Sequence, residues 1–200
     1  MRVTIFDSGA GNLHSLAKAL ASSDTSVRIE ADAERASDTD LLVLPGVGAF
    51  GPAAEKVRDL RDAIVGGLPT IGICLGMQLL FETSDEGGGG GLGVLSGSVR
   101  RLRGRRVPHM GWNDVIPSAA RSLQSLAGEQ LEELPIAYYA NSYVCEPTDP
   151  GIVTAWSNHE GEWFPAIVRQ ANVVGVQFHP EKSSRAGVTF LNSLLWSAAR

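Results

Sequence analysis

Short, mainly apolar runs alternate with helically spaced ones through the first eighty residues. Val3 to Asp7, Val27 to Glu30, Leu41 to Pro45 and Thr70 to Cys74 read as strands, and Asn12 to Ser22, Phe50 to Val65 and Leu75 to Glu82 as helices. Apolar strands separated by helices predict a parallel sheet covered on both faces. Ligands of such sheets gather at the carboxyl ends of the strands, where Asp7, Pro45 and Cys74 fall. From Leu92 the pattern turns to hairpins: Val94 to Leu102, Val107 to Val115, Ile136 to Cys145, Ile152 to Ser157, and Ala166 to Gln170 returning through Val173 to Phe178. Val188, Leu191, Leu194 and Leu195 then space a closing helix over Ala186 to Ala199. The pattern predicts one α/β domain over residues 1–200, a mostly parallel mixed sheet flanked by helices, with antiparallel hairpins in its second half. No internal repeat interrupts it.

Composition narrows the function classes. A chain of 200 residues with 44% hydrophobic content can bury a sizeable core. No apolar run reaches the roughly 18 residues of a membrane span, and Arg2-Val-Thr-Ile-Phe6 runs into Asp7 and glycines without the longer apolar stretch of a secretion signal. Two cysteines argue against a disulfide framework and fit a reducing cytoplasm. The net charge of −5 gives no electrostatic case for nucleic acid. Arg100-Arg-Leu-Arg-Gly-Arg-Arg106 reads as a solvated hairpin edge or, second, as a patch facing a partner. Gly87 to Gly91 lacks the Gly-Lys-Ser/Thr of a phosphate loop and reads as a flexible linker. Ser8-Gly-Ala-Gly-Asn12 lacks the third glycine and distal acid of a dinucleotide site. No cofactor and no metal are expected. Trp112, Trp156, Trp163 and Trp196 read as core or interface packing rather than chemistry.

Cys74 carries the chemistry. In Pro69-Thr-Ile-Gly-Ile-Cys-Leu-Gly-Met-Gln-Leu-Leu-Phe81 a strand ends on a thiol flanked by Gly72 and Gly76. Small residues there let the strand turn sharply into a helix and lift the side chain between them out of the packed layers, as in the Gly-x-Ser-x-Gly nucleophile elbow. The start of a helix also favours a thiolate. A free cysteine is as often a buried core residue, so the rest of the chain has to decide.

Gly175-Val-Gln-Phe-His-Pro-Glu-Lys182 decides it. Pro180 biases His179 toward an extended conformation, which puts His179 and Glu181 on one face. An imidazole oriented by a carboxylate is the base that activates a nucleophile. Acyl transfer further needs donors for the developing oxyanion. Leu75 N–H, directly after the thiol, is one, and Val47, flanked by glycines in Leu44-Pro-Gly-Val-Gly48, can present or rotate another.

Gly72-Ile-Cys-Leu-Gly-Met-Gln78 and Phe178-His-Pro-Glu181 resemble the signatures of the triad (class I) glutamine amidotransferases. Asp7 with Gly9-Ala-Gly-Asn-Leu13, Pro45-Gly-Val-Gly48, Val107-Pro-His-Met-Gly-Trp-Asn113 and Gln177 to Ser183 resemble, within that family, the glutaminase subunits of imidazole glycerol phosphate synthases. The resemblance spans essentially the whole chain. It implies hydrolysis of L-glutamine to glutamate and ammonia by a Cys74–His179–Glu181 triad. Gly46, Gly48, Gln78, Glu86, Asn141, Ser142 and Tyr143 would border the substrate. It also implies a heterodimer with a (β/α)8-barrel cyclase that receives the ammonia and makes imidazole glycerol phosphate and an aminoimidazole carboxamide ribotide in histidine biosynthesis, with Asn12 and Lys182 facing that partner. The chain departs from the family at Ser8, usually tyrosine, at Asn141, usually histidine, and in the five-glycine run. Three other readings stay open: a glutaminase serving another synthase, a non-catalytic docking subunit, and a free-standing cysteine hydrolase.

Overall fold

Side chains leave the first strands alternately toward two faces, and both faces are buried. Val3 and Ile5 of β1 (Arg2–Phe6), Leu41 and Val43 of β3 (Leu41–Leu44), and Ile71 and Ile73 of β4 (Thr70–Ile73) join one apolar cluster. Phe6, Leu42 and Leu44 join the other. Helices α1 (Leu13–Leu20) and α6 (Ser184–Ala198) cover the first face with Leu16, Leu20, Phe190, Leu191, Leu194 and Leu195. The second is covered by α2 (Ala33–Ser37), α3 (Phe50–Val57), α4 (Arg61–Val65) and α5 (Leu75–Leu79), through Ala36, Phe50, Val57, Ile64 and Met77. Each large side chain so buried stabilises the fold by about 1.5–3 kcal/mol. This computed structural model describes residues 1–9, 11–22, 24–87, 89–118 and 134–198. Ala10, Gly88 and Ala199, part of the runs read above, lie outside them.

The large sheet has the order β2 (Ser26–Glu30), β1, β3, β4, β13 (Val173–Val176), β12 (Glu162–Gln170), β11 (Val153–His159) and β8 (Ile116–Pro117). Neighbours from β2 to β13 run parallel, and β13, β12, β11 and β8 pair antiparallel. Two smaller sheets stand beside it: β10 (Tyr143–Pro147), β6 (Leu95–Arg101) and β5 (Phe81–Ser84); and β7 (His109–Asp114) with β9 (Ile136–Asn141). The expected mixed α/β architecture is therefore present, and several local expectations change.

The helix expected over Phe50 to Val65 is broken by a 3-10 turn at Arg58–Leu60, which leaves Val57, Leu60 and Ile64 all buried. The helix after Cys74 stops at Leu79, and Phe81–Ser84 becomes β5, because Leu79-Leu80-Phe81 satisfies a helical and an extended pattern equally. Ser142 splits the run 136–145, sending β9 and β10 to different sheets. Residues 94–102 do not form a hairpin with 107–115: β6 pairs antiparallel with β10, and β7 with β9. Helix α2 was not foreseen; Asp32 caps it by accepting from Arg35 N–H at 2.9 Å.

The basic segment is not a hairpin edge. Strand β6 is the middle strand of its sheet, and Arg100, its side chain only 17% exposed, lies between Glu146 and Glu162. Glu162 also accepts from Arg103 N–H at 2.7 Å, and Glu160 from the N–H groups of Arg105 (2.6 Å) and Arg106 (3.1 Å). Burial works against the Glu162 carboxylate, but these hydrogen bonds hold its pKa below the usual range. The described end of the glycine run is not a free linker. Gly90 bridges to Thr83, Gly91 N–H bonds Glu82 O, and a Cβ on Gly91 would lie 2.2 Å from Phe81 O. Trp112, Trp163 and Trp196 are 56, 54 and 45% exposed, which removes them from the core.

Candidate active site

The carboxyl ends of β3, β4 and β13 lie side by side, and each delivers one part of the site. Cys74 follows β4 with φ 53° and ψ −107°, a conformation that L-residues rarely adopt and that stores strain of about 1–3 kcal/mol. Three close backbone approaches hold it there. A Cβ on Gly46 would stand 1.8 Å from Ile73 O, one on Gly76 2.0 Å from Leu44 O, and one on Gly72 2.6 Å from Gly76 O. Cys74 N–H donates to Val176 O at 2.7 Å, tying the elbow to β13.

His179 follows β13 in the extended conformation that Pro180 imposes, with φ −103° and ψ 92°. Glu181 itself lies in a 3-10 turn, Pro180–Lys182, so the turn rather than strand alternation brings its Oε1 to 2.9 Å from His179 Nδ1. Both side chains are nearly enclosed, at 3% and 10% exposure. The turn is pinned by Ser183, whose hydroxyl donates to His179 O at 2.7 Å and accepts from Tyr138 N–H at 2.8 Å. Burial disfavours a charged imidazole, but hydrogen bonds to the Cys74 sulfur and to Glu181, with the charges of both, outweigh it and lift the His179 pKa to about 9. At neutral pH this imidazole carries a proton that it can give to a leaving group.

A pocket of about 230 Å³ opens beside Cys74 and His179. Leu75 and Val47, expected as oxyanion donors, line it, as do Gly46, Gly48, Gln78, Glu86, Asn141, Ser142 and Tyr143, which the family resemblance implied; Lys182, expected to face a partner, and Ala140 line it too. Glu86 Oε2 accepts from Phe50 N–H at 3.3 Å, at the start of α3, where no side chain of the adjoining residue caps the helix. Asn12 instead lines a smaller cavity of about 30 Å³ with Gly11, Pro45, Val47, Glu181 and Lys182, and caps α1 by accepting from Ser15 N–H at 3.1 Å.

A family model for "Glutamine amidotransferase class-I" matches residues 4–197. The chain belongs to the class I glutamine amidotransferases. It is similar to the "Imidazole glycerol phosphate synthase subunit HisH" of Gloeothece citriformis, 39% identical over 96% of this chain and 94% of that one. It is also similar to the HisH subunit of Pyrococcus furiosus, 41% identical over 96% of this chain and 97% of that one. A crystal structure of a glutamine amidotransferase from Thermotoga maritima shares the fold, with a TM-score of 0.65, 17% identity and coverage of 100% of this chain and 98% of that one.

In this amidotransferase the sequence missed two neighbours of the site. Ala140 gave no chemical signal. Gln177 is fully buried and its Nε2 lies 3.5 Å from Cys74 Sγ; its place two residues before His179 in an extended run was the available signal. The second thiol, Cys145, is 1% exposed, and burial, with the nearby Cys74, pushes its pKa well up. Among the described residues no cluster of His, Cys, Asp and Glu could hold a metal ion, and no helix is long and apolar enough to cross a membrane.

Proposed function

We propose that this amidotransferase is the glutaminase subunit of an imidazole glycerol phosphate synthase, a single cytoplasmic domain that pairs with a (β/α)8-barrel cyclase in histidine biosynthesis. The observation that carries the chemistry is the strained Cys74 elbow facing the same pocket as the His179–Glu181 pair. The relatives named above support the choice of synthase.

The Cys74 sulfur attacks the side-chain carbonyl carbon of L-glutamine. The oxyanion that forms takes hydrogen bonds from Leu75 N–H and Val47 N–H. As the C–N bond breaks, the proton on His179 passes to nitrogen and ammonia leaves. His179 then takes a proton from water, the hydroxide attacks the thioester, and glutamate departs from the restored thiolate. Glu181 keeps the imidazole in the required orientation. Glu86 receives the substrate's α-ammonium group, a charge-assisted contact, and Gly46, Gly48, Gln78, Asn141, Ser142 and Tyr143 shape the remainder. Val47 couples the two subunits: its N–H turns into the oxyanion site when the partner is loaded. A structure of the loaded complex with that N–H turned away removes this part of the proposal.

Ammonia released here passes to the cyclase, which makes imidazole glycerol phosphate and an aminoimidazole carboxamide ribotide. Asn12 and Lys182 face that partner. The surface beside them supports the docking. On the β7–β9 sheet Met110, Trp112 and Ile136 are 62, 56 and 47% exposed, and Tyr138, edge-on to Trp112, accepts His179 N–H through its backbone. An apolar face of this kind next to a reaction centre fits a partner that collects the product.

Glutamate release from L-glutamine, measured for the chain alone, with the cyclase, and with cyclase plus its nucleotide ligand, tests the proposal. The expected result is a large rise only in the loaded complex, absent in Cys74→Ala. Full activity alone points to a free-standing hydrolase, and binding without activity to a docking subunit. Activation only by a different synthase assigns the chain to that enzyme.

A further inference from the structure

The side chains of Gln78 and Gln177 form a buried chain from the pocket wall to the nucleophile. Gln78 Nε2 donates to Tyr143 O at 3.0 Å and to Gln177 Oε1 at 3.2 Å, and Gln177 Nε2 reaches Cys74 Sγ at 3.5 Å. The direction of this chain does not rest on an arbitrary choice of amide orientation. A backbone carbonyl can only accept, so Tyr143 O requires the NH₂ of Gln78 to face it. The same nitrogen then requires the oxygen of Gln177, which leaves the Gln177 nitrogen, a donor, at the sulfur. Both protons of Gln78 Nε2 are committed inside the protein. Gln177 is 0% and Gln78 4% exposed, so water does not compete for these bonds.

We propose that Gln177 is a positioning residue that stabilises the Cys74 thiolate by donating an N–H to it, and that Gln78 acts on the nucleophile through Gln177. A donor aimed at an anion in a buried site favours the charged form, and a charge-assisted bond is stronger than a neutral one. The relay runs from the Tyr143 carbonyl at the pocket wall to the sulfur, so whatever displaces that carbonyl also loosens the amide beneath the nucleophile. Gln78 therefore has a role besides lining the substrate pocket. The inference rests on Cys74 being the nucleophile of the proposed function, and its test is independent of glutamine.

The test is the pH profile of iodoacetamide alkylation at Cys74, read by mass spectrometry of the peptide that carries it, so that Cys145 does not contribute. Gln177→Met keeps the length of the side chain and removes the donor. Its apparent midpoint is expected to rise by about one pH unit, which makes alkylation about tenfold slower at any pH below the midpoint. Gln78→Met is expected to shift the midpoint the same way by a smaller amount, and to add nothing in the Gln177→Met background, since its effect travels through Gln177. If Gln177→Met does not fold, Gln177→Leu, which is smaller and equally without a donor, must raise the midpoint as well. A folded Gln177 variant with the wild-type midpoint overturns the proposal, and an additive Gln78 effect overturns the relay. Failure of the nucleophile reading shows differently: Cys74→Ala would then leave glutamate release by the loaded complex intact.

Discussion

The parallel strands and the smaller sheets enclose the same pocket but hold their halves of it by different means. On the parallel side, position is set by backbone against backbone: Gly46, Gly72 and Gly76 sit where a Cβ would overlap main-chain atoms of β3, β4 or α5. On the side of β6, β9 and β10, backbone ladders are joined by side-chain hydrogen bonds. Asn141 Nδ2 and Gln78 Nε2 share the Tyr143 carbonyl, and Glu160 and Glu162 gather the N–H groups of residues 103, 105 and 106. Backbone contacts of the first kind cannot relax around an added atom. Hydrogen bonds of the second kind can be removed one at a time. Cys74 thus rests on a rigid frame, and the wall opposite it depends in part on hydrogen bonds that substitution can remove.

Substitutions on the two sides should separate this difference. Gly76→Ala puts a methyl group 2.0 Å from Leu44 O, with no flexible side chain to yield, and is expected to lose at least about 3 kcal/mol in urea unfolding. Glu162→Gln removes the charge from the Arg100 and Arg103 contacts and is expected to cost less, about 2 kcal/mol, with Cys74 alkylation unchanged. Equal losses for the two would erase the contrast.

The same contrast explains what the sequence disclosed. Glycines two residues either side of Cys74 and the proline after His179 mark their turns in the local sequence, although the atom that Gly76 must clear, Leu44 O, lies on another strand. The wall could not be read this way. Ser142 ends one strand and starts another in a different sheet, β6 finds β10 rather than the next strand along the chain, and Arg100 is neutralised by carboxylates 46 and 62 residues away. Such partners are chosen by topology, which hydrophobic periodicity does not encode. Short elements such as β5 and α2 were missed or misread because four or five residues fit either period.

Between the two sides stands His179, whose raised pKa couples them to pH. Relative to an ordinary histidine at about 6.5 in the unfolded chain, a folded value of about 9 means that the folded protein binds more protons between these limits. The stabilisation, up to about 3 kcal/mol for the Cys74–His179–Glu181 group, is fully present below about pH 6.5 and is lost as pH rises through about 9. The stability difference between wild type and His179→Gln should shrink over that window in denaturant titrations. A difference that grows with pH would show that burial, not the partners, governs the imidazole.

The smallest effect on folding is expected at the exposed end of the smaller sheets. Trp112→Ala should change stability by less than about 0.5 kcal/mol, since the ring is 56% exposed. It should weaken binding of the cyclase by about tenfold or more, as a buried aromatic anchor does. Calorimetric titration with the partner checks this, and unchanged affinity would move the docking face elsewhere.

The most direct test of the central claim is acid-quench mass spectrometry of the cyclase-loaded complex mixed with L-glutamine. The account predicts a γ-glutamyl thioester on the peptide carrying Cys74, present during turnover and gone when glutamine is exhausted. Turnover with no adduct at any quench time, or an adduct on another residue, would contradict it.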